Sequence, residues 1–314
     1  MRSGIFTAMI LAGFWATPSV AAPYSFTTFD VPAANAGRTY GYGINNNGVV
    51  AGYYRDGVGA HGFTNDGGVI TSINVPGANA GSTNALGVND SGQIVGAFVN
   101  GTGTHGFLDT GGSYTTLDVP GAIGTFGRGI NNAGVVVGQY LNGAATHGFQ
   151  FSGGLFTTFD VPTAFAGTTH VEAISNAGLI AGYFTDAAGA HGFVKDGATF
   201  TTIDVPSANA GTTYVLGVNA SGQVSGQYQD GTGWHGFVGS GATFTKLDVP
   251  SALPGNTYGW GLNDHGDVAG FYFDGIGAHG FIATNGPEPA AWMALSAGLC
   301  ALGLLRSRAQ WSPA

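Results

Sequence analysis

The strongest constraint on this chain is its own repetition. The triplet His-Gly-Phe begins at His61, His105, His147, His191, His235 and His279, with spacings of 44, 42, 44, 44 and 44 residues. A second marker, usually Thr-Thr-x-Asp-Val-Pro, ends at Pro32, Pro76, Pro120, Pro162, Pro206 and Pro250. A third, Gly-Ile-Asn-Asn or a variant, starts at Gly43, Gly87, Gly129, Ala173, Gly217 and Gly261. A fixed period of this length means stacked supersecondary units that share a core.

Each unit reads as four short strands. In the first, Thr39–Ile44, Val49–Tyr54, Ala60–Thr64 and Val69–Val75 are rich in β-branched and aromatic residues and are separated by Asn-Asn-Gly, Asp-Gly and Asp-Gly-Gly turns. Such dipeptides supply the backbone angles of tight hairpins. The longest link, Pro76 to Ser82, falls between repeats. Four antiparallel strands in about 44 residues predict a blade of a β-propeller. The chain opens with an isolated fourth strand, Phe26–Val31, and its last repeat stops after a third strand near Ala283. The first segment can therefore complete the last blade and remove the free edges. The expectation is an all-β, six-bladed propeller over 24–286, closed by the N-terminal strand. An open β-solenoid or two β-sandwiches are the alternatives.

The Gly-Ile-Asn-Asn, Gly-x-Val-x-Gly and Asp-x-x-Gly-x-His-Gly-Phe pattern resembles the HAF family of extracellular repeats, with Gly in all six copies where that family usually has His-Ala-Phe. The resemblance covers nearly all of 24–286. It implies export and a repeat β-structure, and brings no activity with it.

The two ends read as addresses. Arg2, an apolar run from Ile5 to Ala16, and the small residues Ser19 and Ala21 predict a signal peptide over 1–21. At the other end Pro287-Glu288-Pro289 precedes an apolar run from Ala290 to Leu305, then Arg306 and Arg308. Sixteen helical residues would span about 24 Å, slightly short of a bilayer core of about 30 Å, with the arginines on the cytoplasmic side. A buried C-terminal helix is the other reading. This tail resembles the PEP-CTERM sorting signal, with six further residues, Ala309 to Ala314, after the arginines. The resemblance implies a Gram-negative host, passage across its inner membrane, transient membrane anchoring through the C-terminal helix, an exosortase-type processing partner, and a place at the cell surface or in exopolysaccharide. Cys300, the single cysteine, lies in this tail, so no intrachain disulfide forms.

Composition narrows the partners. Charged residues are 8% of the chain, against about 25% in soluble domains. A net charge of −9, with Lys and Arg totalling 8 and unclustered, argues against nucleic acid. Four Gly-x-Gly-x-x-Gly matches, such as Gly57 to Gly62, lie between two strands rather than before a helix, so they predict turns and not a nucleotide site. No cofactor is expected. Equivalent histidines on six blades point apart, so no metal site is expected of them; each is expected to tie a turn. The Asp of Asp-Val-Pro (Asp30, Asp118, Asp160, Asp204 and Asp248, with Asn74 in one copy) is expected to bond backbone in the link. Turn carboxylates such as Asp230 and Asp274 have calcium as an alternative role.

Function is sought where the copies differ. The first outward position of strand one holds Tyr40, Asn84, Phe126, His170, Tyr214 and Tyr258; two residues on come Tyr42, Leu86, Arg128, Glu172, Leu216 and Trp260. Arg128 and Glu172 fall in adjacent repeats, and so do Trp260 and Tyr42 once the ring closes. One reading is packing between blades with one ion pair. The other is a ligand site of Tyr40, Tyr42, Tyr214, Tyr258 and Trp260 beside Arg128, His170 and Glu172, with aromatic faces for sugar rings. Trp234 is a separate exposed candidate. The leading function is a non-catalytic surface or matrix protein that binds polysaccharide. The alternative is a glycan-acting enzyme with Glu172 as acid or base, helped by His170 and Arg128, with Asp267 as a second carboxylate.

Overall fold

The computed structural model describes residues 24–35 and 37–286. The expected signal peptide, sorting motif, C-terminal helix and Cys300 lie outside the described residues. Within them the chain is all β, a propeller-like arrangement of four-stranded sheets. In the first repeat the strands are Thr39–Ile44, Val50–Arg55, Ala60–Asp66 and Val69–Ile73, paired antiparallel in that order. The others repeat the plan, and each turn falls where the sequence places its glycines.

Closure follows the expected route. Tyr24–Phe29 pairs antiparallel with Ala278–Asn285, from Tyr24 opposite Asn285 to Phe29 opposite Gly280, and completes the sheet of the last repeat. Strand one of that repeat lies beside strand one of the first, where Asn263 Nδ2 donates to the Asn45 carbonyl at 3.2 Å. The ring therefore returns on itself, as an open solenoid would not.

One departure concerns the sheets. Four stand alone with four strands each, but the second and third repeats share one eight-stranded sheet. The two join where Gly124 pairs in parallel with Thr104. The equivalent pair recurs at every other junction as an isolated bridge, such as Ala60 with Ser82. Only in the third repeat, whose link after Pro120 is two residues shorter, does strand one extend to include it. At four of the other junctions a link glycine rests on a turn glycine. Gly81 (φ 64°) is one of these, and a Cβ there would stand 2.6 Å from the Gly59 Cα.

Each His-Gly-Phe buries its Phe completely: Phe63, Phe107, Phe149, Phe193, Phe237 and Phe281 are all 0% exposed. The His clips two loops. His235 Nδ1 is 2.7 Å from Asp248 and Nε2 is 3.0 Å from Asp230. The Asp of Asp-Val-Pro thus meets the imidazole, a correction to its expected backbone role. That backbone role belongs to a threonine, since the Val31 N–H donates to Thr39 Oγ1 at 3.1 Å and the same bond recurs at Val75, Val119, Val161, Val205 and Val249. The neighbouring carboxylates serve turns. Asp274 Oδ1 accepts from the Ile276 and Gly277 amides.

The Asn-Asn pair does more than turn the chain. Asn89 Oδ1 accepts from the Gln93 amide of its own turn, while its Nδ2 donates to the Asn131 carbonyl of the next repeat at 3.1 Å. The second residue of the pair accepts from the previous repeat, as Asp90 Oδ1 does from the Asn46 amide at 2.8 Å. Two belts of hydrogen bonds therefore lace the inner turns together. Ser175 and Ala220 are the places where a side chain of the belt is replaced.

Candidate functional site

Strand one of every repeat lines the central channel, and a β-bulge decides which residue points into it. In the third repeat Gly127 pairs with Gly138 and Gly129 with Val137, leaving Arg128 unpaired between them. The same irregularity falls at Glu172, Leu216 and Leu86, and across Tyr42-Gly43 and Trp260-Gly261. A bulge re-aims one side chain. Tyr42, Leu86, Arg128, Glu172, Leu216 and Trp260 all line a central cavity of ≈ 70 Å³. Beneath them Ile44, Val88, Ile130, Ile174, Val218 and Leu262 form an aliphatic girdle that also lines a second cavity, whose far wall is the Asn and Asp belt. At that end Asp264 bridges Asn46 and Asn176, at 3.0 and 2.9 Å.

The channel holds one ion pair, Arg128 Nη1 to Glu172 Oε2 at 3.5 Å, with the Glu172 side chain only 3% exposed. Burial pushes the Glu172 carboxyl above the usual carboxylate range, against the pull of Arg128. Arg128 Nε and Trp260 Nε1 are buried without a hydrogen-bond partner. Trp260 packs on Tyr42 with ring centroids 4.3 Å apart. Both adjacencies expected from the repeat order are present. Asp267 is not brought to this place. It lies at an inner turn, where it accepts from Asn263 Nδ2 at 3.0 Å, and it does not line the cavity.

Removing Arg128 gives a signed expectation. A carboxyl whose folded-state pKa is raised costs nothing below its unfolded pKa of about 4.3 and costs more as pH rises toward its folded value. Arg128→Met leaves burial as the dominant influence on Glu172. The variant should therefore lose more stability at pH 8 than at pH 5 in urea unfolding. An equal loss at both pH values would mean that the pair contributes only packing.

The first outward position behaves differently. Tyr40, His170, Tyr214 and Tyr258 pack against strand two of their own or the preceding repeat, and all four remain half-buried. His170 stacks on Tyr183 at 4.4 Å and its Nδ1 meets Gln139 Oε1 at 3.1 Å. Burial and then Arg128 hold its pKa down to about 4, so the ring is neutral at pH 7. Tyr183 meets Tyr214 at 4.9 Å, Tyr214 meets Trp234 at 5.6 Å, and Trp234 meets Tyr258 at 6.4 Å. Tyr258 stacks on Phe271 at 5.1 Å, Phe271 meets Tyr40 at 5.2 Å, and Tyr40 stacks on Tyr53 at 4.9 Å. A continuous arc of aromatic rings thus runs over the fourth, fifth, sixth and first repeats, on the side of the links. The second and third repeats break it with Asn84, Ala97 and Gln139.

Strand-two members of the arc, Tyr53, Tyr183 and Phe271, escaped the sequence reading. The signal was available, since residues directly opposite in an antiparallel hairpin share a face, and Tyr40 opposes Tyr53, His170 opposes Tyr183 and Tyr258 opposes Phe271.

No family model matches the chain, and no curated relative matches it. Solved structures do. TolB from Acinetobacter baumannii superposes with a TM-score of 0.50 at 10% identity, over 80% of this chain and 65% of that one. Trypanosoma rangeli sialidase in complex with the inhibitor DANA gives 0.50 at 9% identity, over 84% of this chain and 58% of that one. The chain thus spans less than two thirds of the length of either. The likeness is one of fold, the propeller-like arrangement of β-sheets.

Proposed function

We propose that this is an exported, non-catalytic protein of the cell surface or extracellular matrix, that its ring is a six-bladed β-propeller, and that the link-side face binds polysaccharide. Six blades are supported by the eight-stranded sheet, which consists of two four-strand meanders that meet at the Gly124–Thr104 pair. Export rests on the sequence, through the signal peptide ending at Ala21 and the Pro287-Glu288-Pro289 tail with its exosortase-type processor.

The observation that carries the binding reading is the aromatic arc. Half-buried rings in a continuous row offer flat apolar faces, and sugar rings stack on such faces while their hydroxyls stay wet. Six identical blades need no such row on one side only. The non-catalytic reading is supported by the isolation of Glu172. Glycoside hydrolysis commonly uses two carboxylates flanking the bond, and Asp267 is held at the inner turns.

Affinity electrophoresis of the full chain in gels containing bacterial and plant polysaccharides tests this. Tyr258→Ala is expected to weaken binding about tenfold, the worth of one well-stacked ring, with the fold retained by circular dichroism and the melting temperature lowered by only a few degrees. Retention by no polysaccharide would refute the binding reading and leave the arc as packing between blades.

A further inference from the structure

The described residues contain five lysines and arginines. Arg128 is paired with Glu172 and Lys246 with Asp248, and Lys195 donates to the Gly197 carbonyl. The other two, Arg38 and Arg55, are exposed and paired with no carboxylate among the described residues. They sit together. The Arg55 amide donates to the Arg38 carbonyl at 3.0 Å. They also sit at one end of the aromatic arc, where the Arg55 guanidinium carbon is 5.8 Å from the Tyr53 ring centre and Arg38 lies two residues before Tyr40 in the chain.

The repeat pattern shows what these two positions do when they serve only the fold. The place of Arg38 is taken by Ser82, Thr168 and Thr212 in other repeats, and each hydroxyl bonds the carbonyl at the end of strand two, at 2.8 to 3.0 Å. The place of Arg55 is held by Val99, Leu141, Thr185, Gln229 and Phe273. Gly124 and Asn256 lack the hydroxyl in the third and sixth repeats, but the first repeat alone sets two guanidinium groups at the surface. The nearby acids do not neutralise them. Asp56 Oδ1 accepts from the Val58 and Gly59 amides and faces His61, and Asp274 is held the same way in the adjoining turn.

We infer that the ligand of the aromatic face is an acidic polysaccharide, its rings stacked along the arc and its carboxylates held by Arg38 and Arg55. The inference rests on the polysaccharide-binding reading above. Guanidinium is the side chain suited to bidentate bonds with carboxylate. The net charge of −9 repels a polyanion elsewhere on the molecule, so the arginine pair also sets where and in which direction the chain lies.

The test uses the full chain with polygalacturonate and with its methyl ester, which keeps the backbone and removes the charge. Polygalacturonate is expected to bind more tightly, with affinity falling as salt rises. The double variant R38Q/R55Q should lose tenfold or more on polygalacturonate and little on the ester. Lys246→Gln, which removes a cation already paired, should bind as the parent does. Equal binding of the two polymers, or an R38Q/R55Q variant that binds polygalacturonate unchanged, overturns the acidic class; the polysaccharide reading then survives if Tyr258→Ala still weakens binding. Failure to bind either polymer or any neutral polysaccharide overturns both.

Discussion

Phe193→Ala is expected to cost about 3–5 kcal/mol of stability, the range for removing a fully buried aromatic side chain, and to lower the melting temperature by roughly 10 °C in a domain of this size. Phe193 is 0% exposed and packs in one cluster with Val137, Val161, Val171, Ile180 and Phe184. Those neighbours come from two successive repeats, so the ring is a wedge between sheets as well as a filler within one. The walls are strands tied on both edges, which limits collapse into the cavity and keeps the cost at the upper end. Urea unfolding followed by tryptophan fluorescence reads the loss directly. A change below about 1 kcal/mol would show that the surrounding strands collapse into the space the ring leaves.

Gly182→Ala is the second large effect, and its sign is the informative part. By intrinsic preference alanine in a strand should be better than glycine by roughly 0.5–1 kcal/mol. Here a Cβ would be driven into the carbonyl oxygen of His170 and would stand 3.0 Å from the Phe193 ring. That carbonyl belongs to strand one, the wall of the channel, and cannot retreat without displacing the neighbouring repeat. The same approach recurs at Gly52, Gly96, Gly138, Gly226 and Gly270, each against the strand-one carbonyl and the ring of the His-Gly-Phe phenylalanine. Overpacking of this kind costs about 1–3 kcal/mol and more where backbone must move, so a loss of about 3 kcal/mol or more is expected. Gly182 and Phe193 are direct cross-strand partners, so their effects should couple. Gly182→Ala combined with Phe193→Leu should recover only the part due to the ring. A neutral or stabilising Gly182→Ala would mean that the inner strand can shift outward without loss.

Both expectations concern residues whose importance the repeat announces. What it leaves unmarked is the arc, which is built from departures. Tyr40, Tyr214 and Tyr258 stood out because their equivalents are Asn84 and Phe126, and Arg128 and Glu172 because unlike charges fell in adjacent copies. Arg38 and Arg55 drew no notice, since one lies in a link and one at a strand end, where single charged residues are ordinary. Their meaning depends on lacking partners, and partners are a property of the folded chain.

The sequence alone determined the strands, the turns and the closure. Alternating side chains and glycine turns act over a few residues, and a period of 44 with one strand missing at one end and supplied at the other leaves the ring as the direct way to pair every edge. The tertiary structure decided which atoms meet. Asn45 bonds a carbonyl 44 residues away and Asn263 one 218 residues away, the Asp of Asp-Val-Pro meets a histidine rather than backbone, and a bulge turns Arg128 and Glu172 into the channel. Each depends on where a neighbouring backbone lies to within a fraction of an ångström. Local preference carries no such information, because the cost of an unpaired polar group or a clashing Cβ exists only once the repeats have packed.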